Sequence, residues 1–171
     1  MKAFYLAVLA LSTSLFLVSP GFAAKASTTR SVNASEVFKV AIDAGVSLDD
    51  AAESMRLRAN ALNLKLVAEL PLSQQVEAVT NQPQRRVTIF QFCDALTAKA
   101  LIDLNLDFAI YMPCRIALIE DAKGKGWLVM MDVSVDAIAK EKGLPKSLKD
   151  RVQTVRNQLL NIMQAGAKGE L

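Results

Sequence analysis

The segment Val87–Cys93 constrains the fold most, because its sequence is typical of a β-strand and of little else. Its seven residues, VTIFQFC, are mostly β-branched or aromatic, the residue types that are enriched in strands. Alternate residues of a strand point to opposite faces. The two sets are Val87, Ile89, Gln91 and Cys93, and Thr88, Phe90 and Phe92. Large apolar residues stand in both sets, so we expect a strand that is buried on both faces.

Four more segments with the same character predict strands at 37–42, 64–72, 114–120 and 127–133. Helical spacing of apolar residues predicts helices at 48–63, 95–106, 135–143 and 147–164. We expect one helical turn in the polar segment 73–83, and a hairpin turn at 123–126. The order β-α-β-β-α-β-β, followed by helices, predicts an α+β domain. Its sheet is mostly antiparallel, of about five strands, with helices on one face and a C-terminal helical extension.

Residues 1–24 have the layout of a secretory signal peptide. Lys2 gives the positive start, an apolar run follows at 3–18, and small residues follow Pro20. The apolar run is shorter than the ~20 residues that a membrane-spanning helix needs. We therefore expect a cleaved signal at 1–24, a flexible leader at 25–35, the α+β domain at 36–133 and C-terminal helices at 134–171. The mature chain would be exported, to the periplasm of a bacterium, with no membrane span.

Charge and composition restrict the class of partner and of chemistry. The net charge is +3, and removal of residues 1–24 takes away one lysine and no acid. The remaining +2 is too small to indicate binding to nucleic acid or to an anionic membrane surface. The chain has no histidine, which excludes a Ser-His-Asp triad, a histidine general base and His-ligated zinc. A small ligand or a protein partner fits better, and a binding or accessory module fits better than an enzyme.

The last predicted helix carries an apolar stripe at spacings of three and four residues: Leu148, Val152, Val155, Leu159, Ile162 and Met163. We expect this stripe to pack on the protein's own sheet. The alternative is that it forms the seam of a homodimer.

Cys93 and Cys114 are the two cysteines of the chain, and an even count in an exported protein favours a disulfide. Cys93 ends one predicted strand, just before Asp94 opens a helix, and Cys114 begins the next strand after Pro113. If these strands are antiparallel neighbours, the two cysteines meet at one end of the sheet. The first hypothesis is a structural disulfide in a binding or accessory module.

A second hypothesis is a ligand site that uses the sulfur atoms of Cys93, Cys114 and Met112. Met130 and Met131 lie on the facing strand of the predicted hairpin, and the alternative role of these methionines is to fill the core. Soft sulfur ligands suit Cu(I) or a haem iron. The start of a helix lowers the pKa of a nearby thiol such as Cys93, although the charge of Asp94 opposes this effect.

A third hypothesis is thiol–disulfide exchange, with Cys93 as the attacking thiolate and Cys114 as the resolving cysteine. It is disfavoured because the two cysteines are not in C-x-x-C spacing.

The residues around both cysteines also carry a family resemblance. Phe92-Cys93-Asp94-Ala95 and Met112-Pro113-Cys114-Arg115-Ile116 resemble the C-N and L-P-C-R-I motifs of the domain-of-unknown-function 302 family. The resemblance covers about residues 37–133, and it departs from the family at Asp94, where asparagine is common, and at Met112, where leucine is common. It implies an α+β fold that is often dimeric, and it implies no settled activity. Cys93 and Cys114 are thus the first candidate site residues, and Met112, Pro113 and Asp94 are the second.

Overall fold

The structure is a computed structural model, and it describes residues 36–170. The predicted signal peptide at 1–24 and the leader at 25–35 lie outside the described residues. The elements are β1 (Glu36–Ala41), α1 (Leu48–Ala61), β2 (Lys65–Leu70), α2 (Leu72–Thr80), β3 (Val87–Cys93), α3 (Ala95–Leu104), a 3₁₀ helix (Leu106–Tyr111), β4 (Cys114–Glu120), β5 (Gly126–Asp132), α4 (Val135–Lys142) and α5 (Lys146–Lys168).

The five strands form one sheet in the order β1-β5-β4-β3-β2. Every strand is antiparallel to its neighbours. One row of paired residues crosses four of the strands, from Phe90 through Ile116 and Met130 to Phe38. The predicted α+β class and the antiparallel five-stranded sheet are confirmed.

Side chains that cap the first turn determine where helices α1 and α3 begin. At α1, the backbone N–H of Asp50 donates to the Ser47 hydroxyl at 3.0 Å, and the backbone N–H of Ser47 donates to the Asp50 carboxylate at 3.3 Å. This capping box satisfies donors that the first helical turn leaves free. At α3, the backbone N–H of Thr97 donates to Asp94 Oδ1 at 2.7 Å. Asp94 therefore acts as the N-cap that ends β3 and starts the helix.

The main core lies between one face of the sheet, here called the inner face, and helices α1 and α5. In β3 the inner set Thr88, Phe90 and Phe92 is buried, whereas Val87, Ile89, Gln91 and Cys93 are only half-buried. The expectation that β3 is buried on both faces is therefore wrong for its second set. The physical reason is that the helices of the main core cover a single face of the sheet.

The last helix, α5, belongs to this core. Leu159, Ile162 and Met163 of its stripe are buried in it, as predicted for a stripe that packs on the protein's own sheet. Gly166 lets α5 approach α1, because a Cβ atom at this position would come within 2.6 Å of the Met55 Cγ atom. The homodimer stays a prediction, but this part of the stripe is not free to form its seam.

A second, smaller core lies beside the main one. Leu101 of α3, Phe108 of the 3₁₀ helix and Leu148 of α5 are its buried members. It fixes the position of the segment that connects β3 to β4. None of the helices within residues 36–170 combines the length and the apolar character needed to cross a membrane.

The segment after β2 is more helical than the sequence predicts. We expected one turn within 73–83, and the structure has the nine-residue helix α2. Ser73 is its single buried residue, while Val76 and Val79 are exposed. Leu72, Val76 and Val79 do recur at helical spacing, but a segment of nine residues is shorter than the window in which this periodicity distinguishes a helix from a single turn.

The predicted hairpin joins β4 to β5, and Asp121 organises its turn. The backbone N–H groups of Lys123 and Lys125 donate to Asp121 Oδ1 at 2.8 and 3.0 Å. The indole N–H of Trp127 donates to Asp121 Oδ2 at 2.9 Å. One carboxylate thus holds both sides of the turn.

Candidate functional site

The candidate residues meet where β3 ends and β4 begins. Phe92 is paired with Cys114, so Cys93 and Asp94 follow directly on one strand while Met112 and Pro113 directly precede the other. The two cysteines therefore lie on neighbouring antiparallel strands, which is the condition for them to meet at one end of the sheet.

A cavity of about 440 Å³ lies at this end of the sheet, and all five candidate residues line it: Cys93, Asp94, Met112, Pro113 and Cys114. The rest of its wall comes mostly from apolar side chains of α3, the 3₁₀ helix, α4, α5 and the sheet. Examples are Leu101, Tyr111, Ile138, Val152 and Leu159. A concave, mostly apolar site with a few polar groups is the usual form of a small-ligand site.

The cavity has lining residues on both faces of the sheet. Phe92 and Met130 line it from the inner face, and Ile89, Ala117 and Val129, which form one paired row, line it from the opposite, outer face. It is therefore bounded by buried side chains at one end and by half-buried ones at the other.

The disulfide expected between Cys93 and Cys114 is not formed, and both cysteines are free thiols in the structure. The sheet register gives a physical reason. Cys114 is paired with Phe92 and shares the inner face with it, so Cys93, the next residue, points to the outer face. Side chains that point apart from neighbouring strands cannot be bridged without a backbone shift.

Burial raises the pKa of both thiols. For Cys93 the next cause is the negative charge of Asp94, and for Cys114 it is the nearby Cys93. The positive charge of Arg115 acts on Cys114 in the opposite direction but is the smaller effect. The helix start therefore does not make Cys93 a low-pKa thiol, and at neutral pH both sulfur atoms carry their protons.

The three methionines named in the sulfur-ligand hypothesis lie at the same cavity. Met112, Met130 and Met131 all line the cavity together with both cysteines. Within residues 36–170 no three His, Cys, Asp or Glu side chains stand close enough to share a metal ion. A metal in the cavity would therefore depend on thioether ligands from methionine.

Four charged side chains line the cavity: Asp94, Arg115, Asp132 and Arg156. Asp94 caps α3, and Arg156 binds Asp132 through two hydrogen bonds of 2.7 and 2.6 Å. Arg115 is exposed and forms no ion pair or side-chain hydrogen bond with the described residues.

Asp132 and Arg156 were not predicted from the sequence as parts of the site. They lie 24 positions apart on a strand and a helix, and no local pattern joins them. Arg115 was visible within the motif around Cys114, and strand alternation alone would have placed it away from the core.

Comparison with known proteins places this fold. A family model described as "Domain of unknown function DUF302" matches residues 38–166. No curated protein matches. The crystal structure of an uncharacterised conserved DUF302 protein from Bacillus stearothermophilus is similar in fold, with a TM-score of 0.61 and 11% identity over 75% of this chain and 96% of the other.

The family match extends past the region of the sequence resemblance, 37–133, and takes in α4 and most of α5. This agrees with the position of α5 in the main core. The chain belongs to the domain-of-unknown-function family DUF302.

Proposed function

We propose that the protein is an exported binding module and that the cavity at the end of the sheet is its ligand site. The observation that carries this proposal is the cavity itself, with its volume of about 440 Å³ and its mostly apolar wall. This volume lies within the range of about 300–1,000 Å³ that is usual for small-molecule sites. The ligand is a small molecule with a substantial apolar part.

The state of the thiols supports a binding role over a catalytic one. An exchange enzyme needs an attacking thiolate, and the pKa of Cys93 is raised by burial and by Asp94. Cys93 and Cys114 act in this proposal as small, polarisable parts of the wall.

The proposal of export rests on residues 1–24. Their charged start, short apolar run and small residues are those of a cleaved signal. The N-terminal sequence of the protein recovered from the periplasm tests it, and a chain that retains Met1 in the cytoplasm contradicts it.

The experiment on the site uses the uncharged fluorescent probe N-phenyl-1-naphthylamine. We expect saturable binding to the wild-type protein at one probe per chain. Ala98→Phe places a large ring in the cavity wall and should weaken binding at least tenfold. Ala95→Phe is the matched control, since Ala95 is an exposed residue of the same helix outside the cavity wall. Absence of saturable binding, or equal binding by both variants, contradicts the proposal.

One observation favours a second candidate, a site for a soft metal ion such as Cu(I). Cys114, Met112 and Met130 line the same cavity, and sulfur ligands select this ion. Competition with a chromophoric Cu(I) chelator tests it: a metal site predicts one ion per chain and loss of that ion in Cys114→Ser.

A further inference from the structure

We propose that the ligand is an amphiphile with one anionic headgroup, which Arg115 binds at the rim while the apolar chain enters the cavity. This inference rests on the proposed function and adds the chemical class of the ligand.

The charged side chains around the cavity differ in whether they have a partner. The two acids, Asp94 and Asp132, are engaged by the α3 backbone and by Arg156. Arg156 is engaged in turn by Asp132. Arg115 is the one charged side chain of the wall without such a partner among the described residues. An unpaired guanidinium beside an apolar cavity matches a carboxylate or phosphate group at the end of an apolar molecule.

Arg115 has an exposed position on the outer face of β4. It is paired with Gln91, and along β4 it lies between the half-buried Cys114 and the buried Ile116. Its positive charge is close enough to Cys114 to influence that thiol. The guanidinium is therefore at the solvent side of the site, where a headgroup remains partly hydrated.

The apolar part of the cavity limits the size of the chain that can enter it. The buried end of the cavity is lined by Phe92, Leu101, Phe108 and Leu159. A volume of about 440 Å³ is near the small end of ligand sites, so it suits a single short chain. A free fatty acid and one acyl chain of an anionic lipid share this chemistry.

The test measures displacement of N-phenyl-1-naphthylamine from the full mature chain by decanoate and by the uncharged 1-decanol. We expect decanoate to bind roughly tenfold more tightly, which corresponds to one good charged contact. In Arg115→Gln the two compounds should bind equally. Arg151→Gln, at an exposed arginine of α5 outside the cavity wall, is the matched control and should keep the preference.

Each other outcome overturns a defined part of the argument. Equal binding of acid and alcohol to the wild-type protein, or a preference that survives Arg115→Gln, overturns the headgroup while the apolar cavity stands. Failure of the probe itself to bind overturns the proposed function as well. Sedimentation with phosphatidylglycerol vesicles distinguishes the two sources: we expect none, and binding that occurs only to vesicles overturns a site for a free single chain.

Discussion

Arg156 of α5 donates two hydrogen bonds to Asp132 at the end of β5, from Nε to Oδ1 at 2.7 Å and from Nη2 to Oδ2 at 2.6 Å. The side chains are 30% and 16% exposed, so water screens this pair only in part. The pair fixes the middle of α5 over the sheet and forms part of the cavity wall. It therefore connects the stability of the domain to the shape of the site.

Replacement of Asp132 by asparagine removes the negative charge from this pair. We expect the free energy of unfolding to fall by about 1–2 kcal/mol, since hydrogen bonds to charged groups contribute in this range when partly buried. Urea denaturation measures it. Arg156→Gln and the double variant complete a thermodynamic cycle, and a coupling energy of zero would contradict a direct interaction.

Gly166→Ala tests the close contact between α5 and α1. The new methyl group would lie 2.6 Å from Met55 Cγ and 3.0 Å from Leu128 Cδ1, so we expect a loss of about 1–3 kcal/mol from overpacking. This exceeds the gain of up to ~1 kcal/mol that alanine brings to a helix. The loss in free energy of unfolding caused by Gly166→Ala should be smaller when Met55 is also replaced by alanine. An equal loss with and without Met55 would show that the new methyl group does not clash with this side chain.

The free thiols predict a specific order of alkylation. Both cysteines should react with iodoacetamide in the non-reduced protein, Cys93 faster than Cys114, because Cys114 packs against the main core. Intact mass against time, with Cys93→Ser and Cys114→Ser as controls, measures both rates. A protein that is two hydrogens lighter and inert to the reagent would instead establish the bridge.

The same thiols predict a dependence of stability on pH. Their pKa values are raised in the folded state, so above the thiol pKa of the unfolded chain, ~8.5, the unfolded state binds fewer protons than the folded state. Stability is then fully present below this pH and falls as the pH rises towards the folded-state pKa. Cys114→Ala should flatten the profile between pH 8 and pH 10, and an unchanged slope would contradict the assignment.

The hairpin offers a test at low pH, read by the single tryptophan. The hydrogen bond from Trp127 and those from the Lys125 and Lys123 backbone lower the pKa of Asp121. The carboxylate therefore stabilises the turn above the ordinary aspartate pKa, and this contribution disappears as the pH falls through the lower folded-state value. Trp127 fluorescence should titrate with a midpoint below ~3.9. This change in Trp127 fluorescence at low pH should be absent in the variant Asp121→Asn.

The sequence predicted those parts of the fold that depend on local pattern. The helix start at Asp94 is visible because the capping side chain and its backbone partner, Thr97, lie three residues apart. The strand at Val87–Cys93 is visible because most of its residues are β-branched or aromatic. Helix α2 is too short for the spacing of Leu72, Val76 and Val79 to distinguish a full helix from a single turn.

The sequence predicted which residues form the candidate site, but not that they surround a cavity. Cys93, Asp94, Met112, Pro113 and Cys114 do line one cavity. That they surround a cavity, and that the thiols point to opposite faces, follows from the register of β3 on β4. The sequence alone does not give that register, which is why the expected bridge is not formed.

The position of α5 has a consequence for when the protein folds during its synthesis. The main core is completed by Leu159, Ile162 and Met163 of α5, and the carbonyl of Ala167 accepts the backbone N–H of Asp43. The first members of this core lie more than a hundred positions earlier in the chain. A ribosome that has produced α1 and all five strands has still not produced the helix that covers them. The native core therefore cannot close on an incomplete chain, and the folding step comes after the last turn of α5 has emerged. The export that we propose would benefit from this delay, because a chain whose core has not closed can still pass through a membrane in an extended form.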